Sequence, residues 1–236
     1  MQYILYPNAE RGEKDLGWLQ SKFSFSFSSY RNPVRKNFGL LHAFNDDTVK
    51  PGGGFGLHPH TNMEIISVML KGTMNHKDTL GYSEIVEKDW VQLMSAGTGL
   101  RHEEHNVGEE DVAFLQIWIE PKLQNISPRY QKRYFPREKR KNQLTTIVSN
   151  EEGTEHCWIN QNARLLLGWF EQGKEIPYLM NPLNKAVFIF VLEGALTVAG
   201  KKIAKRDAIG IWETDRFTIS IEQEADFIVI EVPVNH

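Results

Sequence analysis

Short apolar runs punctuated by glycine or charged turns recur along the chain, at residues 23–27 (FSFSF), 65–70 (IISVML), 114–119 (FLQIWI) and 187–192 (VFIFVL). Runs of this length, rich in β-branched and aromatic residues, predict strands, and their regular recurrence predicts a β-sandwich or barrel with few helices. Alternation in the first run places Phe23, Phe25 and Phe27 on one face and Ser24 and Ser26 on the other, as a half-buried antiparallel strand requires.

A weak internal repeat divides the chain. Residues 68–74 (VMLKGTM) resemble residues 190–196 (FVLEGAL), each reading as strand, tight turn, strand. The halves then diverge, because the first copy follows His58 and His60 while the same register before the second gives Met180 and Pro182. Two domains are expected, residues 1–135 with a metal site and residues 136–236 without one. Between them, residues 121–141 hold Pro121, Pro128 and Pro136 and a basic cluster of Arg129, Lys132, Arg133, Arg137, Lys139, Arg140 and Lys141. Lacking the aromatic interleaving of a nucleic-acid stacking surface, this stretch reads as a solvated inter-domain connection.

Composition narrows the setting. A chain of 236 residues with 41% hydrophobic and 24% charged residues is that of a globular protein with a substantial core. A net charge of −3 creates no field to recruit nucleic acid or an anionic membrane, and no apolar run is long enough to span a bilayer. The one cysteine, Cys157, can form neither an internal disulfide nor a thiolate cluster, and no secretory leader pattern opens the chain. A cytoplasmic protein without membrane contact is expected.

Candidate chemistry concentrates in the first half. Residues 52–60 (GGGFGLHPH) are followed by Met63 and Glu64, and residues 97–106 read GTGLRHEEHN. Residues two apart on a strand share a face, so His58 pairs with His60 and His102 with Glu104, while Glu103 and His105 point away. Two such pairs facing each other inside a barrel supply three imidazoles and a carboxylate. That set suits one divalent first-row metal with positions left open for substrate and oxygen. A closed structural zinc site would more often draw on cysteine. Pro59 cannot donate to a ladder, which places its strand at an edge or makes it irregular. Glu64 competes with Glu104 for the carboxylate role, whereas His76 and His42 are left outside the site.

Residues 23–27 with Tyr30, residues 54–60 (GFGLHPH), 63–66 (MEII), 76–78 (HKD), 94–99 (MSAGTG) and 102–104 (HEE) together resemble the signature of the pirin family over residues 18–121. The departures, Glu103 within the H-x-E motif and Lys88 before Asp89, remove no ligand. The resemblance implies an all-β bicupin of two jelly-roll-like barrels, and it implies His58, His60, His102 and Glu104 as the ligands. Through it a metal-dependent dioxygenase is expected, one that opens the central ring of flavonols such as quercetin with O2 and releases carbon monoxide, with Glu104 as catalytic base. Iron(II) is the expected metal, manganese, nickel, copper and zinc being compatible with the same donors. The resemblance also allows a non-enzymatic, iron-holding redox regulator that binds a transcription factor or enzyme, and another cupin isomerase or hydrolase at the same site.

Overall fold

The computed structural model describes residues 1–234 of the chain. Among these residues strands alternate with turns and loops, relieved only by two short 3-10 segments, Asn8–Glu10 and Arg137–Arg140, and no helix is long and apolar enough to cross a membrane.

The first half is an antiparallel sandwich. Its larger sheet runs, in spatial order, Arg129–Tyr134, Trp90–Ser95, Glu64–Lys71, Val112–Ile119, Leu41–Val49, Leu19–Phe23 and Gly12–Asp15. Its smaller sheet runs Gly54–His60, Leu100–Asn106, Thr73–Asp78 and Ser83–Glu87. The second half is a nine-stranded sheet centred on two long strands, Ala186–Val198 and Arg216–Val232. These are the two cupin domains of the expected bicupin.

The two halves share a core. Period-2 alternation on Glu64–Lys71 sends Ile66 and Val68 toward the second domain and Ile65, Ser67 and Met69 into the first. Both faces are therefore buried, which is why this strand reads as a continuous apolar run. Phe44 meets Phe190 at a ring separation of 4.7 Å and Phe188 at 5.1 Å across the junction, with Leu115, Ile117, Ile228 and Ile230 around them. Truncating such a buried phenylalanine to alanine costs about 3–5 kcal/mol.

Four sequence expectations are corrected. The basic stretch is not a bare connection: Arg129–Tyr134 pairs with Trp90–Ser95, and the buried Arg140 guanidinium sits 3.0 Å from Asp89 Oδ1. The glycines of the repeat are not hairpin turns. Gly72 (φ +78°) is a corner at which the chain passes from the larger sheet to the smaller, and Gly194 (φ +80°) bends a single long strand whose pairing shifts register there. The FSFSF run leaves the sheet after Phe23, so its phenylalanines part: Phe25 packs on Tyr6 and Phe188, while Phe27 lies against Phe23 and Trp118. Lastly, Gln2–Tyr6 does not lie with the rest of residues 1–135. It pairs with Ala208–Trp212 in the sheet of the second half, because Tyr6 fills the shared core beside Phe188.

Candidate metal centre

The smaller sheet of the first domain brings the histidines together. Gly54–His60 forms its edge, which accommodates Pro59, and the next strand is Leu100–Asn106. In the register between them His58 lies opposite His102 and His60 opposite Leu100, with a bulge between His102 and Glu104. On the other side Leu100–Asn106 pairs with Thr73–Asp78, setting His102 opposite Asp78 and Glu104 opposite His76.

Burial follows strand alternation. His102 and Glu104 are 1% and 2% exposed, whereas Glu103 and His105 face outward, where Glu103 Oε1 is 3.7 Å from Lys77 Nζ. Donor atoms of His58, His60 and His102 lie within 4.8 Å of one another, and so do those of His76, His102 and Glu104. His102 thus belongs to both groups, and Glu104 stands with His102 and His76 rather than directly with His58 and His60.

The other carboxylate candidate lies on the opposite face of its sheet. Glu64 accepts from Ser95 Oγ at 2.7 Å and from the backbone N–H of Asn160 at 3.3 Å, in the junction with the second domain. His42 is half-exposed beside Glu120, at 2.9 Å. In the second domain the buried Glu231 has its oxygens taken by Arg164 (3.0 Å), Tyr178, Asn184 (3.0 Å) and the Asn181 N–H (3.2 Å).

Electrostatics suit a cation. Burial, reinforced by neighbouring histidines, lowers the pKa of His60 to about 4 and of His102 to about 2, so both present neutral imidazoles. Burial pushes the Glu104 carboxyl up to about 7, against the opposing pull of its hydrogen bond from Gln92. Both nitrogens of His102, Oε2 of Glu104 and Nδ1 of His76 are buried with no hydrogen-bond partner. Leaving such groups unpaired costs about 1–3 kcal/mol each. One divalent ion of the borderline first-row type would satisfy one His102 nitrogen together with Glu104 Oε2 and His76 Nδ1, so the donor set fits a metal.

Three supporting residues escape motif reading. Gln92 donates Nε2 to Glu104 Oε1 at 2.5 Å and to Ser67 Oγ at 3.2 Å, and its own Oε1 accepts from Tyr130 at 3.1 Å. Tyr130 also stacks on His76, with centroids 4.4 Å apart and planes at 16°. Trp118 stands edge-to-face against both His60 (5.1 Å) and Phe27 (5.1 Å). All three arise from the larger sheet, across the sandwich from the histidines. Cys157, fully buried with its thiol pushed up to about 12, takes no part.

Residues 7–119 match the family model described as Pirin, and residues 146–232 match that of the Quercetinase C-terminal cupin domain. A protein of Escherichia coli (strain K12) named quercetin 2,3-dioxygenase is 35% identical, over 99% of each chain. A pirin-like protein of Caulobacter vibrioides is 33% identical, over 95% of this chain and 97% of that one. The crystal structure of YhhW from Escherichia coli superposes with a TM-score of 0.94 at 32% identity, covering 100% of this chain and 99% of that one. Bacterial pirin YhhW in complex with nickel(II) gives 0.93 at 31% identity, covering 99% and 100%.

Proposed function

Because the chain belongs to the pirin family, we propose that it is a metal-dependent dioxygenase that opens the central ring of flavonols such as quercetin with O2 and releases carbon monoxide. The observation that carries this reading is the cluster of imidazoles and one buried carboxylate, with the His102 nitrogens and Glu104 Oε2 buried and unpaired, beside the aromatic pair Trp118 and Phe27. Relatives named quercetin 2,3-dioxygenase support the choice of substrate.

His58, His60, His102 and Glu104 would hold one divalent ion, iron(II) by preference, since imidazole and carboxylate suit a redox-active first-row metal. When bound, such an ion lowers the pKa of a coordinated hydroxyl, favouring the anion of the flavonol 3-hydroxyl. Glu104 is the base for that proton. Without the ion its carboxyl, pushed up to about 7 by burial, holds a proton near neutral pH where an exposed glutamate would not; a bound cation would favour the carboxylate form that accepts one. Gln92 occupies Oε1, so Oε2 is the oxygen that either faces the ion or, when released from it, takes the proton. Trp118 and Phe27 offer an apolar wall for flat rings and exclude water from the reacting atoms.

The test is O2 uptake and carbon monoxide release with quercetin and freshly purified protein of measured metal content. The flavone lacking the 3-hydroxyl should be inert, as should metal-free protein and His60→Ala. Quercetin left unchanged beyond the protein-free control by well-metallated protein would overturn the dioxygenase reading.

A further inference from the structure

We infer that His76 is itself a ligand of the metal, closing with His102 and Glu104 an inner coordination face behind the outer histidines His58 and His60. The inference deepens the metal reading given under the proposed function and rests on it.

His76 is fully buried on Thr73–Asp78, and one of its ring nitrogens lies within 4.8 Å of a donor atom of His102 and of Glu104. Its Nε2 lies 2.9 Å from Asp78 Oδ2. The other Asp78 oxygen already accepts the backbone N–H groups of Leu80 (2.9 Å) and Tyr82 (3.1 Å). A carboxylate so occupied accepts from the imidazole, which fixes the proton on Nε2 and leaves the Nδ1 lone pair free. Nδ1 is buried without a partner. A carboxylate on one ring nitrogen and a vacant lone pair on the other is the wiring of a metal-bound histidine. Tyr130, stacked on the ring face, blocks the rotation that would bring Nδ1 to another acceptor or donor. A merely structural histidine at this depth would pair both nitrogens.

Two measurements without flavonol decide it. In uniformly 15N-labelled wild-type protein loaded with 113Cd(II), long-range 1H–15N spectra should show cadmium coupling at His76 Nδ1 while Nε2 keeps its proton. Coupling confined to His58, His60 and His102 would overturn the inference and leave the metal reading intact; absence of cadmium binding would overturn both. In His76→Asn, cadmium affinity should fall about tenfold or more, read by chelator competition against a circular-dichroism melt of the metal-free protein. Undiminished affinity in a folded variant would likewise overturn it.

Discussion

Gln92 donates Nε2 to Glu104 Oε1 at 2.5 Å, and Oε2 of the same carboxylate is left buried with no partner. The Tyr130 hydroxyl, 3.1 Å from Gln92 Oε1, fixes which end of the amide faces the carboxylate. One oxygen is thereby anchored and the other kept for a cation. Gln92→Leu is expected to weaken metal binding about 10- to 100-fold, as loss of a ligand's supporting hydrogen bond does. Gln92→Glu should be worse, because it sets a second carboxylate against Glu104. Tyr130→Phe should have the smallest effect of the three. Chelator competition reads all three, and equal affinities would show that the bond carries nothing.

Strand alternation separates two adjacent glutamates. Glu104→Gln should lower metal affinity or turnover by about tenfold or more, whereas Glu103→Gln, on the outer face beside Lys77, should leave both within about twofold. By the same logic His58→Ala or His102→Ala should strip most bound metal and His156→Ala should not, since the His156 ring is engaged with the Glu151 carbonyl at 3.0 Å. Metal content by elemental analysis decides.

A third expectation concerns pH and the junction between domains. Burial raises the Glu64 carboxyl from its ordinary 4.5 to about 7. The folded state therefore keeps, between those values, a proton that the unfolded chain releases, so stability falls as pH rises through this window. Below it both states are protonated and the penalty is absent. Glu64→Gln removes the decline, and its stability relative to wild type should improve by about 3 kcal/mol between about pH 4 and about pH 8. Urea denaturation of the metal-free proteins at the two pH values measures it; parallel pH profiles would show that Glu64 does not titrate there.

The strand corner at Gly194 gives a sharper test of the fold. Its φ of +80° is open to glycine, and an added Cβ would stand 1.9 Å from the Glu224 carbonyl oxygen. Gly194→Ala should cost roughly 2–4 kcal/mol, visible as a lowered melting temperature. Gly200, also at positive φ but with open space around it, should lose less on the same change.

The pairing of His58 with His60 and of His102 with Glu104 on shared faces was legible because a two-residue spacing survives in any strand, whatever sheet it joins. The choice between Glu64 and Glu104 was not legible from the residues, since Glu64–Lys71 is buried on both faces and alternation vanishes from its sequence. His76 lacked a partner histidine. Its available signal was Asp78, two residues on and so on the same face. Tyr130 lay inside a basic, proline-bearing segment, where charge hid a strand. The departure of Gln2–Tyr6 from the first domain depends on a partner some 200 residues away, and no local pattern encodes that.

That distant pairing bears on how the molecule is made. Gln2–Tyr6 finds its sheet partner in Ala208–Trp212, so on the ribosome the first strand emerges long before it can be paired. At synthesis rates of about 5–20 residues per second the wait is roughly 10 to 40 s. The half that carries the histidine cluster can collapse in that interval, but the clasp between the halves closes only once Ala208–Trp212 is delivered. During it Tyr6 has no aromatic pocket at Phe188. Gln2–Tyr6 is thus a strand that needs shielding until Ala208–Trp212 has been made.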